Sequence, residues 1–318
     1  MLVTVENLNL TYDKKRIFNN ASFRILENEK IGVIGNNGVG KSTLIQVLCG
    51  KVLPDSGTIT FDKNLKVGYL DQYMHINKKL TIEEYLKEAF KELYKEEQIM
   101  NEMLDEMKTI TDHTLIDRYV RNTSRIREEL ESKDFYALNS KIARIATGLG
   151  VVNYGMKTIM EHLSGGQKMK VILTKLLLEQ PDLLILDEPT NFLDTVHVDW
   201  LVKYLKEYEG NFFIVSHNQE FLNDVVNVIM ELEFGKITRY KGNYDSYKIK
   251  KAMQVENYER EYLSQQREIK QLNDYIAKNK VRASTAKMAK SREKKLEKIE
   301  VMEKPKSGDI HLNLSFNY

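Results

Sequence analysis

Residues 35–42 read Gly35-Asn36-Asn37-Gly38-Val39-Gly40-Lys41-Ser42, the glycine and lysine spacing of a phosphate-binding loop. The glycines let the backbone turn tightly enough to aim several N–H groups at one anion. At such a loop Lys41 is placed to reach the β- and γ-phosphates, the Ser42 hydroxyl to ligate Mg²⁺, and Thr43 to follow in the first helical turn. Three further clusters carry groups able to work beside a triphosphate. Asp187-Glu188 follows the apolar run Leu183-Leu184-Ile185-Leu186, and Ser216-His217 follows Asn211-Phe212-Phe213-Ile214-Val215. Leu163-Ser164-Gly165-Gly166-Gln167 sets a capping serine and two glycines at a helix start, a second anion site built on the same physics.

These groups need elements to hold them. Lys30-Ile31-Gly32-Val33-Ile34 suits a buried strand, and Thr43-Leu44-Ile45-Gln46-Val47-Leu48 has apolar residues at helical spacing. Strand, glycine turn and helix thus follow in the order the loop requires, with the positive end of the helix dipole aimed at the anion. The apolar runs before Asp187 and Ser216 read as buried parallel strands, which deliver side chains to their carboxyl ends, where open α/β sheets place ligands. Lys66-Val67-Gly68-Tyr69-Leu70 reads as a strand ending at Asp71-Gln72. Val3–Val5, Leu8–Leu10 and Thr58–Phe61 alternate as strands do, and Val228–Leu232 with Lys236–Tyr240 predicts a closing hairpin around Phe234-Gly235. Tyr12, some two dozen residues ahead of the loop, could stack on adenine; taken alone, it is better explained as a strand-end tyrosine packing on core.

From about residue 81 to 148 a helical period takes over, with Ile82, Tyr85, Leu86, Ala89, Phe90 and Leu93 on one face. The insert carries about four more acids than bases and reads as a solvated helical hairpin rather than a nucleic-acid surface.

Across 318 residues, 42% hydrophobic content provides for a sizeable core, and 30% charged residues make a strongly charged surface. The net charge of +2 conceals an uneven distribution. A single cysteine, Cys49, excludes an internal disulfide and suits a reducing compartment. No secretory leader is evident, and no apolar stretch nears the roughly 18 residues of a membrane-crossing helix, so no membrane channel is expected.

After Gly242-Asn243-Tyr244 the chain becomes helical and charged. Val255, Tyr258, Tyr262, Gln265, Ile269, Leu272 and Ile276 alternate three- and four-residue steps, and Ala289, Arg292, Leu296 and Ile299 repeat the pattern before Pro305. Two such helices joined near 279–284 predict an antiparallel coiled-coil hairpin. From Lys278 to Lys298 bases exceed acids by about seven, with Lys278, Lys280, Arg282, Lys287, Lys290 and Arg292 crowding the bend. Acids are nearly absent there while the flanks mix both signs, which points to nucleic-acid phosphates.

Phosphate loop, Gln72, Leu-Ser-Gly-Gly-Gln, Asp187-Glu188 and Ser216-His217, in that order, resemble the motif set of the ABC ATPase cassettes over about residues 1–242. The resemblance implies an α/β fold: a core sheet bearing the phosphate loop, an antiparallel β subdomain and a helical subdomain, with the arm and helical subdomain spanning about 73–160. It implies ATP and Mg²⁺ as ligands. Asp187 would hold Mg²⁺ through water beside Ser42, and Glu188 would be the general base for the attacking water. Gln72 would touch the metal or that water, His217 would contact the γ-phosphate, and Tyr12 would stack on the base. Asp194 would face a partner cassette. Because each ATP in this superfamily lies between the phosphate loop of one cassette and the Ser-Gly-Gly of another, here Ser164, Gly165, Gly166 and Gln167, the chain would need a second cassette or a second copy of itself.

The charged tail, with Asp187-Glu188-Pro189-Thr190-Asn191-Phe192-Leu193-Asp194, resembles the ABC-F family of ribosome-associated ATPases, which lack membrane domains and join two cassettes by a helical linker. That implies a cytoplasmic translation factor whose linker, about 243–306, reaches tRNA and the rRNA of the large subunit. Phe192, where histidine is common, and Asn218-Gln219, where Asp-Arg is common, resemble the YbiT-like branch. Ile310–Tyr318 alternates like a strand and echoes Leu8–Tyr12, so 307–318 reads as the opening of a second cassette. The rival readings are a transporter's ATPase subunit, an antibiotic-resistance factor of the same family, and a nucleic-acid-binding module that only retains ATP.

Overall fold

The computed structural model describes residues 1–12, 15–70, 77–109, 112–279 and 286–304. Gln72, Lys280, Arg282, the bend between the two tail helices and the strand expected at 310–318 lie outside them. The chain divides into two compact units, Met1–Asp245 and Ser246–Tyr318.

The first unit is built on two sheets. In chain order its elements are β1 (Val3–Tyr12), β2 (Lys15–Ile25), β3 (Lys30–Ile34), α1 (Lys41–Leu48), β4 (Ser56–Phe61), β5 (Val67–Tyr69), α2 (Ile82–Lys87), α3 (Lys91–Glu106), α4 (His113–Ser132), α5 (Leu138–Gly148), α6 (Gly165–Glu179), β6 (Leu183–Asp187), α7 (Thr195–Glu207), β7 (Asn211–Val215), α8 (Gln219–Val225), β8 (Val228–Glu233) and β9 (Lys236–Lys241). One sheet is antiparallel in the order β2-β1-β4; the other runs β5-β6-β7-β3-β8-β9, parallel except for β9.

The parallel strands carry the continuous apolar runs that two covered faces demand. Leu183, Leu184, Ile185, Leu186, Phe212, Phe213 and Ile214 are fully buried. The core lies between the two sheets, where Phe23 of β2 stacks on Phe213 of β7 at 6.4 Å and Leu8, Phe18, Leu44 and Ile45 close the layer.

The sequence did not announce β2. Its inward residues Phe18, Ala21, Phe23 and Ile25 are broken in period by Asn19-Asn20, and Asn20 adopts a positive φ of 53° where β1 and β2 shift register. Val3–Val5 and Leu8–Leu10 are likewise one strand, β1, interrupted at Asn7 with φ 52°.

The insert is helical, as its period predicts. Thr81 caps α2 with a reciprocal Thr81–Glu84 capping box. α3 and α4 pack around a small core of their own, Met100, Ile126, Leu130, Phe135 and Leu138.

In the second unit α9 (Tyr244–Asn279) is followed by α10 (Ala286–Glu297). Their cross-contacts nest: Tyr275 under the Arg292 guanidinium at 4.1 Å, Glu268 with Lys295 at 2.7 Å, Gln265 with Glu300 and Met302, Tyr258 with Glu303. Such pairing is that of two antiparallel segments. Burial along the expected seam is graded: Leu272 and Ala289 are buried, while Val255 and Tyr258 are exposed.

Truncating Leu130, which is wholly buried, should cost about 2–5 kcal/mol locally. Hydrogen exchange of Leu130→Ala should quicken across α3 and α4 and leave nucleotide affinity unchanged, because that core is separate from the one beneath the phosphate loop.

Candidate functional site

Sheet order brings the chemistry together. β3, β7 and β6 are neighbours, and Val33 pairs with Val215 while Val215 pairs with Asp187. The phosphate loop after β3, Ser216-His217 after β7 and Asp187-Glu188 at the end of β6 therefore leave one carboxyl edge side by side. β5 adds Tyr69 opposite Ile185, so the strand leading to Gln72 ends on the same edge.

The loop can take this shape only with its glycines. Gly40 caps α1 at φ 111°, and a Cβ there would lie 2.3 Å from Ile17 Cγ2; one on Gly35 would lie 2.5 Å from the Leu232 carbonyl oxygen. Lys41 is 7% exposed, and its Nζ donates to the carbonyls of Gly35 (2.8 Å) and Asn36 (3.2 Å). Burial lowers its pKa below the ordinary lysine value, and the charges of Glu188 and Asp187 offset part of that. Lys15, which the sequence did not single out, donates to the Gly38 carbonyl at 3.1 Å from the outer side of the loop. It pairs with Tyr12 across the β1–β2 hairpin, and this sets Tyr12, 63% exposed, at a strand end beside the loop rather than in the core.

Opposite the lysine stand two carboxylates held in part without partners. The Ser42 hydroxyl donates to Asp187, whose Oδ1 is buried and accepts no hydrogen bond. Glu188 takes a left-handed φ of 48°, a conformation that costs a non-glycine residue about 1–3 kcal/mol. Its main chain is fixed by donation to the Val215 carbonyl (2.9 Å), and its Oε2 accepts from His217 N–H (3.2 Å). Glu188 Oε1 is buried without a hydrogen bond, and His217 Nε2 stands 3.5 Å from it. Burial raises both carboxyl pKa values above the ordinary range; the Ser42 hydroxyl counteracts this at Asp187 and the His217 amide at Glu188.

The donor set suits Mg²⁺. A hydroxyl paired to a carboxylate that has an unsatisfied oxygen offers the hard ligands that this ion takes in ones and twos beside phosphates. Among the described residues no group of three or more His, Cys, Asp and Glu is placed to hold a metal ion.

The helix start expected to form the second anion site is exposed. Ser164 caps α6 in a reciprocal box with Gln167, and added Cβ atoms at Gly165 and Gly166 would meet open space. Asp194 caps α7 by accepting from His197 N–H at 3.2 Å. Asn218 likewise caps α8, accepting from Phe221 N–H at 2.9 Å, a role in which asparagine and aspartate serve alike. Of the tail cations, Lys278, Lys287, Lys290 and Arg292 are exposed, and Arg292 also lays one guanidinium face on Tyr275.

Comparison with known proteins agrees with this geometry. Residues 18–191 match a family model described as "ABC transporter", and 230–314 match a second with the same description. The chain belongs to the ABC ATP-binding cassette family, whose shared chemistry is ATP hydrolysis. It is 42% identical over 95% of its length to an uncharacterized ABC transporter ATP-binding protein, YfmM, of Bacillus subtilis, covering 58% of that protein. It is 38% identical over 99% of its length to the putative ATP-binding protein YdiF of the same organism, covering 50%. It is 33% identical over 95% to ABC transporter F family member 2 of Arabidopsis thaliana, covering 45%. The chain thus spans about half the length of the curated relatives it matches. A solved structure described as the ATP binding subunit of an ABC transporter superposes with a TM-score of 0.55 at 18% identity, covering 76% of this chain and 90% of that one, a likeness of fold.

A carboxyl whose folded pKa is raised opposes folding once ionised; the penalty is absent below its unfolded pKa and complete above its folded one. Glu188→Gln should therefore melt at a higher temperature than the native chain at pH 7–8, with the gain vanishing as pH falls through the ordinary carboxylate range. Calorimetric melts at the two ends of that range decide it.

Proposed function

We propose that this chain is the ATP-hydrolysing cassette of an ABC-F-type translation factor, working in the cytoplasm on the ribosome, with its tail helices contacting tRNA and rRNA. In this reading the loop amides of residues 36–43, with Gly35 forming the turn, and Lys41 hold the triphosphate, Tyr12 stacks on the base, and Ser42 and Asp187 hold Mg²⁺, with Gln72 completing the set. Held by these residues, Mg²⁺ would supply charge neutralisation for the triphosphate. Glu188, aimed by its left-handed backbone and the His217 amide, orients and deprotonates the attacking water, and His217 contacts the γ-phosphate. Ser164, Gly165, Gly166 and Gln167 serve the site of a second cassette, either in the same longer protein or in a second copy. ATP closes the pair and hydrolysis releases it.

The observation carrying the ribosomal assignment is the coexistence of this site with the helical pair α9–α10, whose Lys278, Lys287 and Lys290 are exposed near the facing ends of the two helices. Relatives named as F family members support it. Among the described residues no helix is long and apolar enough to cross a membrane. The YbiT-like branch rests on Phe192 and Asn218-Gln219 alone, and the boundaries at 242 and 306 are part of the same proposal.

Glu188→Gln with ATP should sediment with ribosomes and remain bound, whereas a failure to sediment at low salt would contradict the assignment. Replacing Lys278, Lys287 and Lys290 together by alanine should weaken that binding and reduce the slope of log affinity against log salt by about one for each phosphate no longer neutralised.

A further inference from the structure

Lys170, on α6, is 9% exposed, and a buried ammonium is tolerated only beside a compensating charge. That charge comes from another element. Lys170 Nζ lies 3.8 Å from Asp194 Oδ2 and 3.3 Å from His197 Nδ1, and the same Nδ1 lies 2.7 Å from Asp194 Oδ1. His197 Nδ1 cannot donate to the carboxylate and accept from the ammonium at once. With its proton on Nδ1, the ring donates to Asp194 and the ammonium is left to the carboxylate, so Asp194 is the centre of the group. The carboxyl pKa falls below the ordinary range, first because it accepts the His197 amide and then through the charges of His197 and Lys170.

A second contact joins α7 to α6. Farther along, the Tyr204 hydroxyl donates to the Leu177 carbonyl at 2.8 Å. α7 also lies close against the end of α5 and the loop after it. A Cβ on Gly148 would fall 2.0 Å from the Trp200 ring, and one on Gly150 would fall 2.3 Å from His197 Nε2. His197, Trp200 and Tyr204 thus form a single packed stripe, with the Lys170 group at the end nearest the first turn of α7. α6 begins with Ser164-Gly165-Gly166, and α7 begins after Leu193-Asp194. Both starts are exposed, as is Val196 at 75%.

We infer that Lys170 is a positioning residue that ties the Ser164-Gly165-Gly166 helix start to the Asp194 loop through Asp194 and His197, so that the two edges meet a second cassette as one rigid surface. This rests on the reading above that a second cassette completes the site. Lys170 touches neither the phosphate loop nor Asp187 and Glu188. Its loss acts on the alignment of the pair, not on nucleotide binding by one cassette.

The clamp is tested first in this chain by hydrogen exchange. Lys170→Met should speed exchange at residues 195–198 at least tenfold and leave the amides of β6 and β7 unchanged, with Lys170→Arg restoring protection. In the intact protein Lys170→Met should lower ATP turnover about tenfold while ATP affinity, read with a fluorescent ATP analogue, stays within twofold. Asp194→Asn should produce a similar loss, and the double variant little more than either alone. Unchanged exchange at 195–198, losses that multiply in the double variant, or affinity falling as far as turnover would each overturn the inference. Turnover in the native protein that needs no second cassette would remove the pairing reading instead, and the exchange result would still decide the clamp.

Discussion

The structure depends on unequal satisfaction of charge at one sheet edge. Lys41 is buried with its ammonium lodged on two carbonyls of its own loop, while Asp187 and Glu188 each keep a buried oxygen without a hydrogen bond. Burial disfavours the charged form of all three groups. An arrangement of that kind is costly in isolation, and a polyanion beside Lys41 together with a hard cation beside Asp187 would offset the cost. The rest of the first unit serves this edge: parallel strands bring the groups into register, and glycines at 35 and 40 permit the turn.

Most of that edge was legible in the sequence because it is local. Glycine spacing fixes a phosphate loop without reference to the rest of the fold, and apolar runs of four or five residues ending in acids or Ser-His have few readings other than buried strands. The order of the motifs then supplied the family. Legibility failed where the determinant was spatial or where an irregular backbone broke the period. β2 escaped notice because Asn19-Asn20 interrupts its alternation. Nothing at Lys15 foretells that it braces Gly38 from outside the loop, since the contact is made only once β1 and β2 pair. Tyr12 illustrates the converse: taken alone, its sequence context favours a strand-end tyrosine packed on core, yet it stands 63% exposed at the end of β1.

The strained backbone at Glu188 belongs to the same account. A left-handed glutamate would be selected against in an ordinary turn, yet here its amide is fixed to Val215 and its carboxylate to the His217 amide, so neighbouring strands impose the conformation. Asp194 and Ser164 show a gentler version, in which exposed side chains cap α7 and α6 with ordinary helix-cap chemistry. The carboxylate that caps α7 also compensates Lys170 of α6, so one side chain serves both the start of one helix and the charge on another.

The central claim, that this edge is built to take a triphosphate and a divalent cation together, is tested most directly by calorimetric titration of ATP into the chain with and without Mg²⁺. The account predicts saturable binding that Mg²⁺ strengthens and that Lys41→Ala weakens about 10- to 100-fold, the worth of one charge-assisted contact. ATP affinity indifferent to both Mg²⁺ and the loss of Lys41 would contradict it.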